Sequence, residues 1–213
     1  MEKKDVLSQA FTWLFIGLLI CFGISYGATI NEDVTKLVYG SLGGYAYVLY
    51  AVIELGLVIF LALRIRKMKP TTAKIVYSLY TAFTGLSLGG IFVVYTKSSI
   101  AFVFLATALI MGVFAFIGKT TKMDLTKTST ILIVALFAII ILEIVNVFLL
   151  NNTLATILNI ACIVIFAGYI AYDINRVMNT DDFPNDGIYL AFQLFIDFIN
   201  IFIRLLELFG KRD

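Results

Sequence analysis

The sequence predicts an all-α membrane protein, a seven-transmembrane helix bundle with an amphipathic last helix at its centre. Composition is the first observation behind this. Of 213 residues, 61% are hydrophobic and 14% charged, and mean hydropathy is +1.00. Soluble chains are typically about 45–50% apolar and about 25% charged. The second is a succession of apolar runs, each near the ~20 residues needed to cross a bilayer. The third is a row of polar residues along the last of them. One transmembrane domain over residues 1–213 accommodates all seven runs.

The runs are 10–30, 42–63, 74–95, 99–118, 129–150, 154–176 and 187–209. The first follows MEKKD, a flank like that of a signal peptide. It is long enough to span and ends without a clear cleavage site, so it is read as the first helix. Pro70 and Pro184 fall between runs, where helix breakers belong. In the first and third runs, Gly23/Gly27 and Gly85/Gly89 form small-xxx-small pairs, which let backbones approach closely in lipid. Internal packing is favoured over a dimer face, since seven helices need many close contacts. Cys21 and Cys162 lie inside apolar runs without CxxC spacing and read as core residues.

Lys and Arg favour the cytoplasmic side. The 63–74 connection carries Arg64, Arg66, Lys67, Lys69 and Lys74, the 118–128 connection Lys119, Lys122 and Lys127, and the N-terminus Lys3 and Lys4. The alternate connections hold only Lys36 and Lys97. The N-terminus is therefore expected in the cytoplasm and the C-terminus outside. Lys211 and Arg212 oppose the rule there, which leaves a re-entrant last segment as an alternative.

The last run contains LAFQLFIDFINIF, residues 190–202, with Asp197 in apolar surroundings. At about 3.6 residues per turn, Asp186, Gln193, Asp197, Asn200, Arg204, Glu207 and Lys211 share one narrow face. A helix lying flat on the membrane is one reading, but such helices carry Lys/Arg-rich polar faces. This stripe is acidic at its centre, which favours a helix enclosed by the others. Along the stripe, Asp197 can approach Asn200, and Arg204 can approach Asn200 and Glu207.

Charges at membrane depth are functional candidates. The other acids there are Glu54, Glu143 and Asp173. Asp173, in IAYDINR, is the partner sought for Asp197; its alternative is a local pair with Arg176 at i+3. With the intervening turn near Phe183, the two aspartates differ in depth by roughly 6 Å. If they meet, they tend to share one proton and titrate as a pair. They would also supply half of a hard-cation site, since calcium takes about six to eight oxygen ligands. Proton and calcium would then compete for the same oxygens. Glu54, mid-span, suits an ion pathway, as does Asn200. Glu143, with Asn146 at i+3, suits either the outer mouth or a structural role. There is no histidine, which removes His-based triads and the usual zinc and haem ligand sets. No organic cofactor and no nucleic-acid partner are expected.

YDIN at 172–175, followed 24 residues after its Asp by IDFINIF at 196–202, resembles the transmembrane Bax inhibitor motif family, and the resemblance covers the whole chain. It implies a bundle around the last helix and a pH-sensitive calcium leak, with Asp173 and Asp197 as the sensing pair and the cation ligands. Glu54 matches an acid of the family. Arg64 and Arg66 flank the place of a basic residue linked to the pair, and Arg204 is a further candidate gate partner. Glu143 has no counterpart. Bacterial members are implied to pass calcium across the cytoplasmic membrane, eukaryotic ones to leak it from internal stores. Abundant Ile, Lys and Asn suit an AT-rich, bacterial genome. The implied partners are lipid, calcium, protons and other membrane proteins.

Two other functions compete. Intramembrane aspartyl proteases also carry Tyr-Asp on the sixth helix, as Tyr172-Asp173 does here. Their second motif needs Gly-x-Gly before the Asp, and this chain has Leu194, Phe195 and Ile196. An enzyme is therefore not expected. A non-conducting regulator that binds other membrane proteins would use the acids as specificity devices.

Overall fold

The computed structural model describes residues 2–30, 35–36, 45–123, 125–180 and 187–212. Seven α-helices lie among them: α1 Lys3–Ile30, α2 Tyr45–Arg64, α3 Pro70–Val94, α4 Lys97–Thr120, α5 Thr126–Leu149, α6 Asn152–Asn179 and α7 Ile188–Phe209. A short 3-10 turn, Ile65–Lys67, follows α2. Six of them, α1 and α3 to α7, are among the described residues long and apolar enough to cross a membrane by length and composition. Phe15, Phe102, Phe116 and Phe148 are among many large apolar side chains left exposed. That surface suits lipid and not water.

The helix ends have local causes. Pro70 does not sit between helices as expected but occupies the first turn of α3, where its missing N–H costs nothing. Asn151 caps α6, its side chain accepting from the Leu154 N–H at 2.9 Å. Gly187 leads into α7 with φ +88°, and a Cβ there would crowd the Val6 carbonyl. Pro184 and the loop acids Asp181, Asp182 and Asp186 lie outside the described residues.

Two compact units make up the chain. The first comprises Met1–Thr96, Phe183–Phe192 and Arg212–Asp213; the second comprises Lys97–Asp182 and Gln193–Lys211. In the first, Gly17 lies against Tyr77 and Thr81, and a Cβ on Gly85 would fall on the Cys21 backbone. The Ser25 hydroxyl donates to the Gly85 carbonyl at 2.6 Å. The register rises together in both helices, so α1 and α3 run parallel. Close approach thus occurs at Gly17 and Gly85. Gly23 and Gly27, expected to pack, are exposed with no neighbour within 4 Å of a built Cβ. Cys21 supplies the small surface opposite Gly85 instead.

In the second unit, a Cβ on Gly118 would fall on the Ala171 backbone, and Gly168 meets the Leu132 side chain. The C-terminal ends of α4 and α6 therefore lie together, whereas α5 runs antiparallel to α6. Buried Asn175 fastens this end. Its Nδ2 donates to the Gly118 and Thr121 carbonyls at 3.3 and 3.5 Å, and its Oδ1 accepts from the Leu125 N–H at 3.2 Å.

α7 is the most enclosed candidate span. Within its apolar 18-residue stretch 67% of residues are buried, against 11–44% in the corresponding stretches of the other five. Its first residues, Ile188–Phe192, belong to the first unit, where Phe192 meets Tyr80 edge-on at 5.4 Å between centroids. Gln193 onward belongs to the second, where Phe198 packs on Phe104 at 5.1 Å. Burial of Asp197 on the polar side, beside a buried apolar side, is not the state of a helix lying flat on a membrane.

Candidate functional site: buried carboxylates of the second unit

α6 and the C-terminal part of α7 bring four polar side chains together. Asp173 is 2% exposed and Asp197 5% exposed. Gln193 Nε2 donates to Asp173 Oδ1 at 2.8 Å, and Gln193 Oε1 accepts from Arg176 Nη2 at 2.8 Å. The same Arg176 nitrogen stands 3.6 Å from Asp173 Oδ1. The local Asp173–Arg176 pair considered from sequence is therefore present, closed into a triangle by Gln193. Arg176 also lies 5.8 Å from the centroid of the Tyr172 ring, a cation–π contact.

Asp197 is held differently. Its Oδ2 is buried without a hydrogen-bond partner among the described residues. It interacts electrostatically with Asp173, and Tyr169 interacts with both aspartates. Asn200, a possible neighbour by spacing, turns its Nδ2 to the Ile196 carbonyl at 2.8 Å. Gln193 precedes Asp197 by one helical turn, about 6 Å along the axis, and it is Gln193 that reaches Asp173.

Toward the C-terminal end of α7, Arg204 does not turn to Asn200. Its Nη2 lies 2.6 Å from Glu143 Oε1, and its Nη1 lies 3.4 Å from Glu207 Oε2 and 3.1 Å from Asn159 Oδ1. Cys162 Sγ is 3.9 Å from Glu143 Oε1. Glu143 is thus an ion-pair partner. Asn159 was not singled out from sequence, although a buried amide in an apolar helix is a signal of its own.

The remaining candidates lie in the first unit. Glu54 is half-buried on α2, with Cys21 and Tyr80 as electrostatic neighbours. Arg64 and Arg66 are exposed at the end of α2 and in the following turn. The Arg66 guanidinium lies 5.9 Å from the centroid of the Tyr189 ring. No group of three or more Asp, Glu or Cys side chains placed to hold a metal ion occurs among the described residues.

These features define a multi-pass, all-α membrane protein with acids enclosed at the depth of its spans. The family model described as inhibitor of apoptosis-promoting Bax1 matches residues 3–213, and the chain belongs to this Bax inhibitor family, as the YDIN and IDFINIF segments foreshadow. A protein of Borreliella burgdorferi is 32% identical, with 99% of this chain and 93% of that protein covered. The inner membrane protein YbhL of Escherichia coli K12 is also 32% identical, with 98% and 92% covered. A Caulobacter vibrioides protein shares 32% identity over 92% of this chain and 84% of its own. The six apolar helices and the inner-membrane relative assign the chain to the cytoplasmic membrane.

Proposed function

We propose that the protein is a pH-sensitive calcium leak pathway, a conduit and not an enzyme, with Asp173 and Asp197 as gate and cation ligands. The carrying observation is the inequality of the two acids. Asp173 has a hydrogen bond and a cation; Asp197 Oδ2 has no hydrogen-bond partner among the described residues. An ionised carboxylate without a counter-charge is expensive in a low-dielectric interior and neutralises instead. In this proposal Asp197 carries a proton until a cation arrives. When the proton leaves, two carboxylates stand about one helical turn apart and attract a hard cation. Proton and calcium compete for those oxygens, so calcium flux rises with pH.

The same proposal takes the chain across the membrane seven times, with the N-terminus cytoplasmic. α1 and α3 pack parallel, so the chain has to return between them. α2, with 20 residues, is about 30 Å long and sufficient for that return. Gly187, at the start of α7, lies against Val6 near the start of α1. Arg212, beyond the end of α7, bridges to Tyr95 at the end of α3. These contacts support a full crossing by α7 and not a re-entrant segment.

The test is calcium uptake into liposomes containing only this protein, across about pH 6 to 8, for wild type and Asp197→Asn. Wild type should conduct several-fold faster at the upper end, and the variant should lose that dependence. No flux at any pH from folded protein would overturn the leak and point to the regulator of other membrane proteins.

A further inference from the structure

A cavity of about 390 Å³ opens in the second unit between the C-terminal ends of α5 and α7 and the start of α6. Glu143, Asn146, Asn159, Arg204 and Glu207 are part of its polar wall, with Asn151 and Asn152 at the turn before α6. Three oxygens from three helices converge on one guanidinium there: Glu143 Oε1, Asn159 Oδ1 and Glu207 Oε2. Two carboxylates and one guanidinium leave the cluster one negative charge in excess. Such a cavity disfavours anions and favours a cation.

We propose that this cluster is a second divalent-cation site, an outer vestibule occupied by the chain's own Arg204. Calcium takes about six to eight oxygens at about 2.3–2.6 Å. Glu143, Glu207 and Asn159 provide the protein share once Arg204 swings aside. Water completes the shell, and the cavity has room for it at about 30 Å³ per molecule. Exchange of Arg204 for a divalent ion also balances the two carboxylate charges. Arg204 is then an internal competitor, so an arriving ion has to displace it from all three oxygens. The side chains suit this exchange: Arg204 is 22% exposed, Glu143 32% and Glu207 41%, so all three reach solvent. The site deepens the cation pathway proposed above, but it is built by residues remote along α7 from Asp197, and its test does not require flux.

That test is equilibrium binding of radioactive calcium to the full-length protein in detergent micelles. Arg204→Gln removes the internal cation and should bind calcium at least about ten-fold more tightly than wild type, with one added site per chain. Arg204→Lys keeps a cation and should stay at the wild-type level. Adding Glu143→Gln to Arg204→Gln should abolish the gain, whereas adding Asp197→Asn should leave it. A gain that survives Glu143→Gln, or folded Arg204→Gln protein that binds no more calcium than wild type, overturns the vestibule. Calcium flux that fails while the Arg204→Gln gain appears would sink the leak pathway and leave this site standing.

Discussion

Gln193 shows how one neutral amide can organise a charged site. Its NH₂ group donates to Asp173 while its oxygen accepts from Arg176, so both of its polar ends are used on ionisable groups. Hydrogen bonds to charged groups contribute about 1.5–3 kcal/mol each, and a buried group left without one costs about 1–3 kcal/mol. Gln193→Leu should therefore destabilise the protein by about 1–3 kcal/mol. The chain supplies its own reporters, because Cys21 and Cys162 are both buried. A thiol-reactive dye that fluoresces on reaction should show an earlier thermal transition for Gln193→Leu than for wild type. An unchanged transition would mean that the triangle is weak. From sequence, Gln193 was visible as a member of the polar stripe, but its role was not. Spacing along one helix gives the face a residue occupies; the partner across the interface depends on the relative depth of α6 and α7. That depth is set by packing between the two helices, and no periodicity along either one encodes it.

At the scale of elements, the apolar runs located the seven long helices that lie among the described residues, since a period near 20 residues bounded by charge leaves few alternatives. The places where helices touch were less legible. Glycine spacing pointed to Gly23/Gly27 as readily as to Gly85, because both are small-xxx-small pairs. Only the partner's surface separates them: Gly85 faces Cys21 and Ser25, whereas Gly23 and Gly27 face nothing within 4 Å. This difference is testable. Gly85→Leu and Gly118→Leu each drive a side chain into a neighbouring backbone, where overpacking costs about 1–3 kcal/mol or more. Both should fail to give monodisperse protein on size-exclusion chromatography. Gly23→Leu should elute as wild type, and its failure would show that this face packs in the membrane against another chain. Asn175 belongs to the same scale, since its three bonds tie the α4–α5 turn to α6.

For the whole molecule, charge and packing give two independent accounts of topology. In the proposed topology, with one crossing per helix, the cationic connections at 63–74 and 118–128 face the cytoplasm. Packing adds what charge cannot. The parallel α1–α3 contact supports the proposed return through α2, and within the first unit Arg212 bridges to Tyr95 at the end of α3. Lys211 and Arg212 run against the charge rule, and of the two charged groups Arg212 has an aromatic partner. The Arg212 guanidinium lies 5.7 Å from the Tyr95 ring centroid, and the Lys211 N–H donates to the Ser99 hydroxyl at 2.9 Å. Single cysteines in a background lacking Cys21 and Cys162 read the outcome. Lys211→Cys, at an exposed position beyond α7, should react with a membrane-impermeant maleimide on intact cells. Thr120→Cys, at the exposed end of α4, should react only after permeabilisation. Labelling of both from the same side would remove one crossing between them. Because α5 and α6 lie antiparallel and both are long enough to span, that result would single out α7 as the segment that fails to cross.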